Sequence, residues 1–224
     1  RDVLGSRGLG DVYKRQTLRF MIPLFSLTAQ KVRFTGAGRL FDRPQAVYQM
    51  LFDRQGLHFE QTPEGITIFG RLRPGGFTLP GDVSSQFITG LLFVLPLLEG
   101  DSDLALTSPL ESRGYVELTL DVLNRFGIQI EERENGFHVP GKQSYQSRDF
   151  TVEADWSQAA FWYAANFSGG QVDIQGLNMN SKQGDKGIAL QYWKLDKPGD
   201  AELDVSQCPD LVPPLAAMAA VRAG

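Results

Sequence analysis

Between Gly81 and Leu98 the chain reads GDVSSQFITGLLFVLPLL, with the hydroxyls of Ser84 and Ser85 and the amide of Gln86 directly ahead of an apolar run of good helix formers. This is a polar start on a buried helix. Ser84 accepts a hydrogen bond from an amide two or three residues on, while Ser85, Gln86 and the remaining free N–H groups point off the helix end. Such an end is an anion receptor. One serine is enough for a cap, so two adjacent serines and a glutamine point to a ligand as well. Arg43 precedes Pro44, which suits the first turn of a helix. Its cation is then disfavoured by the helix dipole by about 0.3–1 kcal/mol, and a bound anion reverses that sign. A guanidinium suits bidentate carboxylate or phosphate recognition, and the alternative is an ion pair with Asp42 or another neighbour. Asp210, after Pro209 at the opening of the last helix, is favoured by the dipole alone and is also a candidate proton acceptor. Ser112 and Tyr115 read, by themselves, as a helix cap and a half-buried aromatic.

These groups belong to a chain of 224 residues, 42% hydrophobic and 21% charged, with room for one large domain or two small ones. A net charge of -4 argues against a nucleic-acid surface, so an anion must be held by local donors. The apolar run from Phe87 to Leu98 is interrupted by Pro96 and is too short to cross a bilayer, so no membrane partner is expected. One cysteine, Cys208, and two histidines, His58 and His138, exclude a disulfide framework and a zinc-type ligand cluster, and a reducing cytoplasm fits best. Cys208 is expected to be a small buried residue without activation.

Residues 1–16, RDVLGSRGLGDVYKRQ, lack the features of a signal peptide. They resemble a translated adapter scar and are expected to be foreign, with a genuine basic arm as the alternative. From Thr17 the chain alternates helical and strand patterns. TLRFMIPLFSLTAQ reads as a short buried helix and KVRFTG as a strand. RPQAVYQMLFDRQG reads as a helix with Val47, Met50 and Leu51 on its apolar face and Gly56 as its stop. LHFEQ and ITIFG then form a two-stranded ribbon. After the helix from Gly81 to Leu98 come DLALTS as a strand, ESRGYVELTLDVLNRFG as a helix, and IQIEE with GFHVPG as a second ribbon. A third round begins with FTVEADWSQAAFWYAANFSGG, followed by QVDIQG. An Asp-x-Ser signal recurs at Asp82 and Ser84, Asp155 and Ser157, and Asp204 and Ser206, with a shorter second interval. Such spacing indicates stacked supersecondary units of α/β class, and the three aspartates are expected to serve turns of the repeat.

GDVSSQFITGLLFVLPLL, ESRGYVELTL, SKQGD and DVSQCPDLVPPLAA together resemble the EPSP synthase family of enolpyruvyl transferases, in register from Thr17 onward. The resemblance implies an inside-out α/β barrel built of repeated βαβαββ units, with two domains and an active site in the cleft between them. It implies that the 5-hydroxyl of shikimate 3-phosphate displaces phosphate from phosphoenolpyruvate through a tetrahedral intermediate, without metal or organic cofactor. Ser84, Ser85 and Ser112 match residues that hold the shikimate phosphate, Gln86 one that lies between both substrates, and Tyr115 lies against the same substrate. Arg43, in its Arg-Pro context, matches a ligand of phosphoenolpyruvate. Asp210 matches the residue that contacts substrate hydroxyls and takes the proton of the attacking one. Arg19 and Arg39 match family arginines and are read as structural support.

Departures from the family accompany the matches. Its opening Lys-Ser and Arg motif and its Asn-Ala-Gly-type turn are absent before Thr17, and the chain stops at Gly224, before the distal glutamate, lysine and arginines. A fragment is therefore expected: 17–148 as a nearly complete first domain and 149–224 as the start of a second, truncated at both ends and inactive alone, from an enzyme monomeric at full length. Three alternatives remain. They are the sister enzyme acting on UDP-N-acetylglucosamine, a non-catalytic anion-binding module, and a purely structural repeat protein.

Overall fold

The computed structural model describes residues 9–223. Contacts divide them into two units, one holding residues up to 110 with 123–146, the other 111–122 with 147 onward. Residues 1–8 of the expected foreign tail lie outside the described residues. Residues 9–16 continue the first helix, α1 (Leu9–Phe25), which therefore starts earlier than its apolar pattern suggests. No proline interrupts that stretch, so helical hydrogen bonding propagates through it. At the other end α1 stops short of the expected Gln30. Pro23 lies in its last turn, and the Ser26 hydroxyl donates to the Ile22 carbonyl at 2.7 Å.

The first unit carries two open sheets. One is antiparallel in the order β1 (Val32–Phe34), β3 (Gly65–Phe69), β2 (His58–Thr62), with Phe59 and Val32 flanking Ile68. The other runs β4 (Gly75–Leu79), β5 (Ser102–Leu106), β7 (Gly136–Val139), β6 (Glu131–Arg133). Only β4 and β5 are parallel. Both ribbons form, the second with its first strand at Glu131–Arg133, shifted from the expected IQIEE, whereas β4 had no signal of alternation. Gly75 and Gly76 weaken its intrinsic preference, and its ladder comes from β5, with Phe77 opposite Leu104. Among the described residues the sheets do not close into a barrel.

Helix α2 (Ala46–Gln55) ends where Gly56 takes the left-handed conformation, φ 67°. Val47 and Leu51 face inward as expected. Met50 does not: it is 48% exposed, and Tyr48 and Phe52 fill the core instead. The helix expected through Leu98 is α3 (Ser85–Leu92) followed by a 3-10 turn over Leu95–Leu97. Pro96 lacks an N–H and its ring clashes with the carbonyl four residues back, so the α-helix stops at Leu92. Helices α1 and α3 pack closely because position 90 has no side chain. A Cβ at Gly90 would collide with the Tyr48 hydroxyl and lie 2.7 Å from the Arg19 carbonyl oxygen. Tyr48 uses this approach, donating to that carbonyl at 2.6 Å while its ring packs edge-on against Phe87.

In the second unit α5 (Trp156–Phe167), α6 (Ile188–Asp196) and α7 (Val212–Ala223) pack on one another around Trp156, Ala160, Ile188, Leu211, Leu215 and Met218. Short 3-10 turns, Gly184–Gly187 and Pro209–Leu211, lead into α6 and α7. Residues 113–122 of α4 (Arg113–Arg125) belong to this unit. The third round keeps its helix, α5, but QVDIQG after it forms no strand. A strand needs a ladder partner, and none of the described strands pairs with it.

Candidate functional site

Two clusters gather the candidate residues, one in each unit. In the first, Ser84 caps α3 with extended backbone, φ −174° and ψ 130°, and its Oγ accepts the Gln86 N–H at 3.3 Å. Ser85 opens the helix, half-buried. Arg19, from α1, reaches across 65 positions to donate from Nη1 to Ser84 Oγ at 3.1 Å and to Gln86 Oε1 at 3.0 Å. Its Nε points to Gln45 Oε1 at 3.4 Å, and its guanidinium lies 4.2 Å from the centre of the buried Phe87 ring. The Ser84 hydroxyl and the Gln86 amide at the start of α3 are thus both hydrogen-bonded by the one guanidinium of Arg19. Its direct grip on Ser84 and Gln86 was not legible, because nothing local marks a contact so distant in sequence.

Arg43 departs from expectation in its backbone setting. Helix α2 begins after Gln45, so Pro44 precedes the helix instead of occupying its first turn, and Arg43 stands two residues before the cap. The dipole penalty argued from the sequence is correspondingly weak. Nor does Arg43 pair with Asp42, which binds Arg39 at 3.1 Å. The Arg43 carbonyl accepts from Gln61 Nε2 at 2.9 Å, fixing the backbone, and the side chain is exposed.

The second cluster joins Tyr115 of α4, Ser157 of α5, Asp185 of the turn before α6 and Asp210 of the turn before α7. Tyr115 Oη lies 3.0 Å from Asp210 Oδ2 and 3.2 Å from Asp185 Oδ2, and Ser157 Oγ hydrogen-bonds Asp185 Oδ2. Local capping sets this up. Asp155 caps α5 by accepting from the N–H groups of Ser157 at 2.8 Å and Gln158 at 3.1 Å, leaving the Ser157 hydroxyl free for Asp185. Burial pushes the Tyr115 phenol far above its ordinary range, and the two carboxylates push it further, so it acts as a neutral donor. Burial also raises the Asp185 carboxyl, against hydrogen bonds from Ser157 and Tyr115 and with the charges of Asp210 and Asp155. Asp210 is exposed at the site's surface.

Ser112 adjoins this cluster with φ 54°, left-handed for a residue with a side chain, whereas a capping serine normally has extended backbone. Ser112 still stands at the position before α4, where its carbonyl accepts the Tyr115 N–H at 3.1 Å. Asp82 accepts from the Ser108 hydroxyl at 2.6 Å, a bond between two loops 26 positions apart, whereas Asp204 accepts from the Ser206 N–H at 2.9 Å within its own turn. Cys208 is half-buried, and burial followed by Asp185 and Asp204 raises its thiol. Asp185 was legible only as part of SKQGD, and no role followed from that string. Among the described residues no helix is long and apolar enough to cross a membrane, and no group of His, Cys, Asp and Glu could hold a metal ion.

Residues 16–197 match the profile of EPSP synthase (3-phosphoshikimate 1-carboxyvinyltransferase). A protein of Clostridium novyi (strain NT) with the name 3-phosphoshikimate 1-carboxyvinyltransferase is 41% identical, over 93% of this chain and 52% of its own length. Its namesake from Clostridium acetobutylicum is 42% identical over 93% and 53%. The chain thus spans about half the length of these curated relatives. Among solved structures, EPSP synthase from Acinetobacter baumannii superposes with a TM-score of 0.55 at 21% identity, covering 68% of this chain and 34% of that one. The enolpyruvyl transferase NikO from Streptomyces tendae gives 0.51 at 19%, covering 74% and 39%. These two likenesses show the enolpyruvyl transferase fold, and the profile match over most of its length shows that the chain belongs to the EPSP synthase family.

Proposed function

We propose that the protein transfers the 1-carboxyvinyl group of phosphoenolpyruvate to the 5-hydroxyl of shikimate 3-phosphate, releasing phosphate. The observation that carries this is the start of α3, where Arg19 holds Ser84 and Gln86 beside the helix N–H groups, a preformed donor set for a phosphate ester. Ser84 and Ser85 bind the shikimate phosphate, together with Ser112, whose left-handed backbone is strain of the kind found at ligand sites. Gln86 lies between the two substrates, and Tyr115 lies against the shikimate moiety. The exposed Arg43 takes the carboxylate or phosphate of phosphoenolpyruvate.

Asp210 receives the proton of the 5-hydroxyl as its oxygen attacks the substituted carbon of phosphoenolpyruvate. The methylene carbon gains a proton from a donor outside this cluster, giving a tetrahedral intermediate. Loss of phosphate, with a proton from the new methyl group, restores the vinyl ether. The cytoplasm is the proposed compartment, supported by the single cysteine. The direct test is phosphate release by the protein expressed at its relatives' length, with shikimate 3-phosphate or UDP-N-acetylglucosamine as acceptor. Turnover with the first and none with the second is expected; the reverse preference would assign it to the sister reaction.

A further inference from the structure

Tyr115 faces two carboxylates with one hydrogen to give. Its Oη is within hydrogen-bond distance of Asp185 Oδ2 and Asp210 Oδ2, and a phenol has a single O–H. With both acids ionised, one of these contacts would set oxygen lone pairs against each other. A second hydrogen must lie in the cluster, and burial decides where. Asp210 is exposed, so water solvates its charge. Asp185 is 2% exposed, and its Oδ1 has no hydrogen-bond partner. An ionised carboxylate would leave that oxygen charged, buried and without a donor, whereas a neutral acid leaves an ordinary carbonyl there at much lower cost.

The groups around Asp185 do not supply a compensating cation. Tyr115 faces it from α4, Ser157 and Asp155 from the start of α5, and Cys208 and Asp210 from the approach to α7. Lys186, next in the chain, turns its ammonium to the Ser181 carbonyl at 2.8 Å. The upward shift of the Asp185 carboxyl, caused first by burial, agrees with this inventory.

We propose that Asp185 is a positioning residue that keeps its proton in the working enzyme, donating it as a hydrogen bond to Tyr115 Oη so that Tyr115 donates to Asp210 and orients that carboxylate toward the substrate hydroxyl. The inference rests on the assignment of Asp210 as proton acceptor. No bond breaks at Asp185, whose hydrogen stays in place through the cycle. The neutral acid acts as a donor, so an amide in its place preserves the relay, whereas an ionised partner would be lost with it.

The test uses the protein at its relatives' length and two readouts. In the infrared difference between wild type and Asp185→Asn at neutral pH, a protonated-carboxyl C=O band present only in wild type is expected. In steady-state kinetics, Asp185→Asn should lower kcat about threefold and Asp185→Leu about thirtyfold, with KM for shikimate 3-phosphate within about twofold in both. Absence of the band, or equal damage by Asn and Leu, overturns the proposal. If the leucine variant does not fold, the infrared band and the asparagine variant still decide it. Asp210→Asn separates the two assignments. Retention of kcat there refutes Asp210 as acceptor, while the Asp185 band reports independently on the proton.

Discussion

The starts of α3 and α5 carry the same Asp-x-Ser spacing and put it to opposite uses. At α3 the serine is the cap, and at α5 the aspartate is, so the second helix begins two residues earlier in the motif. The residue between them explains the shift. Val83 is 58% exposed and stays outside α3, whereas Trp156 is fully buried and is drawn into the first turn of α5 by the core of its unit. The polar consequences follow. Ser84 is held by the guanidinium of Arg19, making the end of α3 cationic and rich in donors. Ser157, released from capping, bonds the buried acid Asp185 and joins a cluster with two carboxyl groups. One repeated signal thus yields a helix start hydrogen-bonded to a guanidinium in one unit and a cluster of two carboxyl groups, a phenol and a hydroxyl in the other.

This division is broken most directly at Asp210. Asp210→Asn should lower kcat by about a hundredfold or more while leaving the binding of shikimate 3-phosphate within a few-fold, as expected for loss of a general base. A variant that lost binding and kept kcat would move Asp210 to the receptor side. Next in size is Ser84→Ala with Ser85→Ala. Removal of two hydroxyls from a charged phosphate should weaken binding of shikimate 3-phosphate about a hundredfold by calorimetry, against about threefold for Ser157→Ala. Equal effects would reduce the α3 start to a cap. Gly90→Ala probes the support behind the receptor. The added methyl meets the Tyr48 hydroxyl and the α1 backbone, so stability should fall by about 1–3 kcal/mol in urea unfolding. An unchanged midpoint would mean that α1 can withdraw without strain.

What the sequence disclosed was local. The cap and apolar run at α3, the stop at Gly56, and the β2–β3 and β6–β7 ribbons are each set by residues within a few positions of one another. Strand β4 escaped notice because its glycines acquire strand geometry only beside β5, beyond an intervening helix. QVDIQG, which follows its helix as strands follow the earlier ones, forms no strand, since alternation without a neighbouring strand makes no ladder. Of the candidate site, the residue types at Ser84, Ser85 and Gln86 were legible. The hand that holds them, Arg19, lies 65 positions away, and the Tyr115–Asp185 contact spans 70. A contact of that kind leaves no periodicity to read.

The smallest expected effect concerns pH, which should act on the cluster beside α5 and leave the start of α3 nearly untouched. The folded-state pKa of Asp185 is raised, so its contribution to stability is fully present below the ordinary carboxylate range and is lost as pH rises through the raised value. Asp185→Asn abolishes that titration. The stability of wild type relative to Asp185→Asn should therefore fall as pH rises from acid toward neutral, measured by urea midpoints across the range. Ser84 is neutral and does not titrate, so Ser84→Ala should cost about 1 kcal/mol with little dependence on pH in the same range. Asp204 supplies the opposite control. It is exposed, and the Ser206 hydrogen bond lowers its carboxyl, so what it contributes is lost as pH falls. If the Asp185→Asn difference instead grew with pH, the buried acid would be stabilised as an anion, and the contrast between a cationic and a proton-bearing helix start would fail at its second member.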